Sequence, residues 1–376
     1  MNIKEVAEIR RHIRRDRSNM TAIYGCYVND NKEIVSEFRC STAMMSENEG
    51  DKYFGLLRKT LSGTIGKNLI DISFKTSQVM ESPEHKLLME LRQSNLDKED
   101  LRMTFYRKVM ESVSLDQSYL IVLGCESYDV PFKQEGKEET YKFILCAICP
   151  VKLTKATLHY VPEEKIFHDG GITNVVANPE IGFLFPAFDD RATNIYNALY
   201  YTRNVKEGQD AFADAIFRTQ IPKPANTQKK SFEAILSNAL AEECSLDVVQ
   251  TVHEQLAQRI ALHKESKIPE PLQVSKEDVK EVLTGCGISD AHLAKFSLDY
   301  DEIFGFEADL YPKNIIDEKR FEVKLPDVSI KIAPDRTDLI ETRVIGGRKY
   351  ILIDAEEDVE VNGVSIHIND GELQPV

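Results

Sequence analysis

The sequence predicts an α+β protein: an N-terminal mixed α/β domain, a helical middle segment and a small C-terminal antiparallel β module. Three observations carry this expectation. "SYLIVLG" and "YKFILCAICPVKL" are near-continuous apolar runs of the kind found in central strands, and amphipathic helices precede them. Beyond the proline-marked linker "IPKPANTQ", the segments "SFEAILSNALAEE" and "SLDVVQTVHEQLAQRIALHKES" have helical periodicity. From about residue 318 the period falls to two, as Phe321, Val323 and Leu325 alternate with Glu322 and Lys324. The expected boundaries are residues 1–205, 206–310 and 311–376.

Element by element, residues 3–15 form a helix with Val6, Ile9 and Ile13 on one stripe and Arg10, Arg11, Arg14 and Arg15 largely off it. "TAIYGCYV" and "KEIVSEF" are strands joined through the turn-prone "NDN". "DKYFGLLRKTLSG" is a helix closed by Gly63, and "LIDISF" alternates Ile70, Ile72 and Phe74 against Asp71 and Ser73 as a half-buried strand. Helices around "EHKLLMELRQ" and "EDLRMTFYRKVMESV" lead to the two apolar strands, with the polar "QEGKEETY" as the loop between them, and the sheet is expected to be mixed. In the middle segment Val249, Leu256 and Ile260 share a face; Ser275 caps a helix with Asp278 three residues on. "VIGGRKYILI" and "VEVNGVSIHI" carry Gly-Gly and Asn-Gly hairpin turns.

Composition narrows the function classes. The 376 residues suggest two or three domains at roughly 150 residues each. No stretch of eighteen apolar residues occurs, and "MNIKEVAEIRRHIRRDR" is charged where a signal peptide needs an apolar run, so the expected location is the cytoplasm, with no membrane contact. Seven cysteines without framework spacing read as reduced, mainly buried thiols. A formal charge of −15 argues against indiscriminate coating of nucleic acid but permits a local basic face.

The motifs that imitate chemistry fail on spacing. In "CAIC" the two cysteines lie three apart in what reads as a strand, so they point to opposite faces and core packing is the favoured reading. "SGTIGKN" has two residues between its glycines where a phosphate loop has four, ends in Asn68, and follows a helix instead of a strand; Lys67 keeps only a separate capacity to meet a phosphate. The eight histidines show no metal-binding spacing, and no cofactor or metal is implied. The helix-turn-helix suggested over 276–296 carries one lysine against four acids in its second helix, the wrong sign for DNA.

Charge of the right sign sits at the other end. Within residues 1–17, Lys4, Arg10, Arg11, Arg14, Arg15 and Arg17 oppose three acids, a net of +3. From Asp354 onward the tail has seven acids and no Lys or Arg. The most provocative stretch is "FPAFDDRATNIYNALYYTR" at 185–203: a strand closing at Pro186, then Asp189 or Asp190 capping a helix whose face includes Ile195, Ala198, Leu199 and Thr202, with Tyr196 and Tyr200 one turn apart. Two further readings are open. Asp189 and Asp190 are half of an acidic metal or acid/base site, or Arg191, Asn194, Tyr200, Tyr201 and Arg203 form a polar surface for a partner or a nucleic-acid backbone.

"AEIRRHIRRDRSNMTAIYGCYV", "LRKTLSGTIGKNLIDISF", "EHKLLMELRQS", "YKFILCAICPVKLTK", "IGFLFPAFDDRATNIYNALYYTR", "EECSLDVVQTVHEQL" and "RKYILI" together resemble the bacterial family of domain of unknown function 4317 across essentially the whole chain. That resemblance implies a bacterial cytosolic protein and supplies no activity. In element order, "EDLRMTFYRKVMESV", "SYLIVLG" and "YKFILCAICPVKL", with "VSKEDVKEVL" and "RFEVKLPDVSIKIAPD" much later, are similar to the bacterial nucleoid-associated protein family. This second likeness implies a dimeric, nucleoid-located protein.

The functional expectation is therefore a non-enzymatic nucleoid-associated or nucleic-acid-linked protein, with DNA or a nucleoid protein as partner. Its expected contact residues are Arg10, Arg11, Arg14, Arg15, Arg17, Lys67, Arg191, Asn194, Tyr200, Tyr201 and Arg203. The rivals are a hydrolase-type enzyme around Asp189, Asp190 and Arg191, and a protein-interaction adaptor. A homodimer is expected because the C-terminal strands leave open edges and too little buried surface.

Overall fold

The computed structural model of the chain describes residues 1–131, 139–155, 158–205, 209–266, 268, 270–306, 308–355 and 359–366. By backbone contacts it divides into two compact units, one comprising Met1–Pro224 with Pro269–Pro271, the other Ala225–Ile268 with Leu272–Val376.

The first unit begins α1 (Ile3–His12), β1 (Ala22–Val28), β2 (Ile34–Ser41), α2 (Glu47–Lys59), β3 (Leu69–Ser73), α3 (Thr76–Glu81), α4 (Pro83–Gln93) and α5 (Glu99–Ser112). It continues with β4 (Tyr119–Val130), β5 (Glu139–Leu153), β6 (Leu158–Val161), β7 (Ile166–Asp169), β8 (Asn174–Val176), β9 (Ile181–Phe185), β10 (Ala187–Asp189), β11 (Ala192–Asn194), β12 (Asn197–Thr202) and α6 (Asp210–Phe217). Of the polar loop expected at 134–141, residues 134–138 lie outside the described residues and the last three open β5.

One large sheet runs β2-β1-β4-β5-β9-β12-β3, with β8 added beside β5. Each neighbouring pair is antiparallel, which corrects the expected mixed sheet. The apolar runs arise from a different cause: helices cover both faces, so residues of either parity are buried. Ile121, Leu123, Ile144, Cys146, Ile148, Phe183 and Tyr200 pack with α4, α5 and α6 on one face. Leu120, Val122, Phe143, Leu145, Cys149, Leu184 and Tyr201 pack with α1 and α2 on the other.

This layering settles the cysteine pair. Cys146 and Cys149 lie in opposite cores, and burial pushes the Cys149 thiol up to about 12 and that of Cys146 well above its ordinary value. All seven cysteines are free thiols, but only Cys26, Cys146 and Cys149 are buried; Cys40, Cys125, Cys244 and Cys286 are half-buried, fewer in the core than expected. Ile70, Ile72 and Phe74 share one face, as their alternation predicts, while Leu69 points to the other. The α2 helix stops at Lys59, before Gly63: Thr60, Leu61 and Ser62 each donate a backbone bond three residues back, tightening the last turn instead of closing it on glycine.

The second unit contains α7 (Ala225–Leu240), α8 (Leu246–Ser266), α9 (Lys276–Gly285), α10 (Asp290–Phe304) and α11 (Pro312–Ile315). Three hairpins follow, β13 (Phe321–Lys324) with β14 (Ser329–Ile332), β15 (Ile340–Ile345) with β16 (Arg348–Ile353), and β17 (Val359–Val361) with β18 (Val364–Ile366). Phe232, Leu236, Leu256, Ile260, Leu283 and Phe296 belong to its core. On α8 it is Val248 that is buried, while Val249 is exposed. Ser275 and Asp278 form the expected reciprocal cap. The Gly346-Gly347 and Asn362-Gly363 turns place all four residues at positive φ, the geometry a two-residue hairpin requires. Among the described residues no helix is long and apolar enough to cross a membrane.

Candidate functional site

The stretch at 185–203 is not a helix. It is a hairpin of β10 and β11 followed by β12, and the turn residues Asp190 and Arg191 have φ of 48° and 64°. Positive φ at both central positions matches the right-handed twist of the flanking strands. An Asp-Arg pair lacks the usual Asn-Gly signature, so the turn is invisible to a residue-type scan. β12 misleads for another reason: all six of its residues are buried, leaving no alternation to separate strand from helix.

The hairpin is fastened to α1. The N-cap Asn2 side chain accepts from the Lys4 and Glu5 backbone N–H groups, and Asn2 N–H donates to Glu5 Oε2 at 2.8 Å. One turn on, Glu8 receives Arg191 through two bonds, 3.0 and 3.2 Å, and Tyr128 Oη donates to it at 2.6 Å. Arg191 also donates to the Pro131 carbonyl at 3.2 Å. The Met1 ammonium lies 2.6 Å from Asp189 Oδ1 and 3.1 Å from Asp71 Oδ1. Asp189 Oδ2 accepts from Asn194 Nδ2 at 3.1 Å and Asn197 Nδ2 at 3.2 Å. Asp189 is thus held by the Met1 ammonium and two asparagine amides, and Arg191 by Glu8 of α1, so the charge of each is met within the fold. Asp190 is exposed at the turn. Among the described residues no group of three or more His, Cys, Asp or Glu is placed to hold a metal.

Two glutamates in this clasp are perturbed in opposite directions. The bond from Arg191 holds Glu8 below the usual carboxylate range. Burial, then the nearby Asp189 charge, raises Glu5, against opposing bonds from the Asn2 and Arg191 backbones. A raised folded pKa means that Glu5 contributes stability below its unfolded pKa and forfeits it as pH rises through the folded value. Glu5→Gln keeps an acceptor for Asn2 and removes the charge. It is expected to be more stable than the native chain at neutral pH, with the difference vanishing below the carboxylate range; urea melts at the two pH values check this, and an equal difference at both would refute it.

The other expected contact residues fall elsewhere. Arg10, Arg11, Arg14, Arg15 and Arg17 are all exposed at the end of α1 and in the loop beyond it. Arg14 and Arg17 share Asp16, at 3.1 and 3.8 Å, and Arg15 Nη2 donates to the Met45 carbonyl at 3.3 Å. Lys67 is exposed in the loop before β3; its neighbour Asn68 donates to the Thr202 carbonyl at 3.1 Å, setting Lys67 near the β12 end from which Arg203 reaches Glu180 at 2.8 Å. Tyr200 and Tyr201, expected on a surface, are buried on opposite faces of the sheet, because β12 is covered on both sides. The Tyr200 hydroxyl has no hydrogen-bond partner among the described residues and lies beside a shallow cleft lined by Ile70, Thr202, Asp210, Ile221 and Lys223.

Sequence reading missed Glu126, which is 1% exposed. It accepts from Ser18 Oγ and from the Asn19 and Ser127 N–H groups, both at 2.9 Å, with His12 Nε2 at 3.5 Å. The first acid to interrupt the apolar run "YLIVLGCE" is the signal that could have found it.

The fold and this site define a two-unit α+β protein with an internally satisfied acidic clasp and a separate exposed arginine cluster. The chain belongs to the DUF4317 family, a domain of unknown function whose model matches residues 1–364. No curated protein and no solved structure matches it significantly.

Proposed function

We propose that the chain is a non-catalytic binding protein that meets a polyanion through the arginine-bearing end of α1, the phosphate backbone of nucleic acid in the bacterial nucleoid being the polymer it fits. The carrying observation is that Arg10, Arg11, Arg14, Arg15 and Arg17 are exposed together, opposed locally by Asp16, on a chain of net charge −15. Such a patch holds phosphates without reading bases, and the surrounding negative field limits how much else it touches. The order of elements, similar to that of nucleoid-associated proteins, supports the same reading. By contrast, of the three residues expected for a hydrolase, Asp189 and Arg191 already have their hydrogen-bonding capacity taken up within the fold, which leaves Asp190 exposed at the turn without them.

Fluorescence anisotropy with labelled duplex and single-stranded DNA across salt is the test. Four phosphate contacts would give a slope of about −3 to −4 in log affinity against log salt on duplex. Replacing Arg10, Arg11, Arg14 and Arg15 by Gln is expected to flatten that slope towards zero while leaving the thermal transition in place. Absence of binding at low salt would sink the proposal.

A further inference from the structure

The five arginines of the basic patch are held in two different ways. Arg10 and Arg11 lie inside α1, where the helical ladder fixes the backbone. Arg14, Arg15 and Arg17 lie in the loop between α1 and β1, outside any regular element. There the backbone closes a turn: Arg14 N–H donates to the His12 carbonyl at 2.7 Å, and the Arg14 carbonyl accepts from the Arg17 and Ser18 N–H groups at 3.0 and 2.8 Å. All three arginines are exposed on it.

What ties this turn to the sheet is Glu126 of β4. Beyond the arginines, Ser18 Oγ and Asn19 N–H both donate to its carboxylate, and Asn19 Nδ2 donates to the neighbouring Ser127 carbonyl at 2.9 Å. Before them, His12 Nε2 lies 3.5 Å from Glu126 Oε1. One buried carboxylate therefore meets the chain on both sides of the arginines. Burying an acid costs free energy unless bonds offset the lost hydration, and two of the donors that supply the offset here belong to the loop.

We propose that Glu126 is a positioning residue for the polyanion-binding patch, holding the 14–17 turn in the shape in which its arginines meet phosphates. The role presupposes the polyanion binding proposed for the same patch. A loop ordered in advance spares the conformational entropy that a loose one loses on binding. The anchor thus acts on affinity, while the number of phosphate contacts, and with it the salt slope, stays as it is.

Anisotropy titrations of labelled duplex DNA across salt test this. Glu126→Ala is expected to weaken binding about tenfold at every salt concentration without changing the slope. Glu126→Gln has the same charge as the alanine variant but retains an acceptor for the Asn19 and Ser127 N–H groups, and is expected to recover most of the loss. Ser18→Ala with Asn19→Ala removes the anchor from the loop side at no change in charge; it is expected to weaken binding severalfold with a native circular dichroism spectrum, and it decides the matter should Glu126→Ala fail to fold. Equal affinities for the Ala and Gln variants, a flattened slope in either, or native affinity in the Ser18–Asn19 variant overturns the proposal. A native chain that does not bind DNA sinks the polyanion reading alone, and hydrogen exchange then decides on the anchor. The amides of Arg14, Arg17 and Ser18 should exchange at least tenfold faster in the Ser18–Asn19 variant, with the rest of the Met1–Pro224 unit unchanged; unaltered exchange there overturns it.

Discussion

Arg102→Ala is expected to destabilise the Met1–Pro224 unit by about 3–5 kcal/mol, the range for removing one partner of a buried ion pair. Arg102 is 8% exposed, and its fork has two jobs. Its Nε donates to Glu37 Oε1 at 2.6 Å, joining α5 to the edge strand β2. Its Nη1 donates to the Leu96 carbonyl at 2.6 Å. Leu96 is fully buried with φ of 64°, a left-handed backbone that costs a branched residue about 1–2 kcal/mol, so the bond from Arg102 fixes a turn that would otherwise relax. The guanidinium also sits 4.5 Å from the centre of the Tyr24 ring. For a unit of this size, 3–5 kcal/mol corresponds to roughly 10 °C in Tm. Arg102→Lys keeps the charge but loses the planar fork, and should recover only part of the loss. A double-mutant cycle with Glu37→Ala measures the coupling directly. A coupling near zero would show that the pair is bystander chemistry.

Leu96 lies only six residues before Arg102, but Glu37 lies 65 residues away on another element and no local pattern links it to them, so this network was not legible. The same limit explains the rest of what the sequence left out. Local rules carried the Ser275–Asp278 cap, the Asn362-Gly363 turn and the opposite placement of Cys146 and Cys149, because each depends on residues within a few positions of one another. They failed where burial on both faces erased alternation, as in β12, and where a turn used Asp190-Arg191 without glycine. Direction in the sheet was equally hidden, since a strand covered on both faces reads alike whether its neighbours are parallel or antiparallel. At the candidate site, the clustering of Asp189, Arg191 and Asn194 was legible from adjacency. Their engagement by Glu8 and Met1 was not, because those groups lie on and just before a helix more than 180 residues earlier.

Phe183→Ala is expected to cost the same unit about 3–5 kcal/mol, by loss of apolar transfer energy together with the cavity left behind. Phe183 is fully buried in β9, and its ring lies 6.0 Å from Phe105, 6.5 Å from Phe212 and 5.2 Å from Phe217. Those partners come from α5 and α6, so one side chain of the central sheet holds two helices on it. Tyr200→Phe, one strand away in the same core, provides the contrast. Its ring neighbours Phe212 and Phe217 are kept, and the hydroxyl it removes has no partner among the described residues. Deleting an unsatisfied buried hydroxyl relieves a desolvation cost, so this variant should match or slightly exceed the native stability. Chemical denaturation of both variants, followed by tyrosine fluorescence and far-ultraviolet dichroism, decides the matter. A Phe183→Ala loss below about 1 kcal/mol would mean that α5 and α6 can close over the vacancy, which a core packed to native density does not permit. A large loss in Tyr200→Phe would instead assign the hydroxyl a bound partner in the cleft beside Asp210 and Lys223.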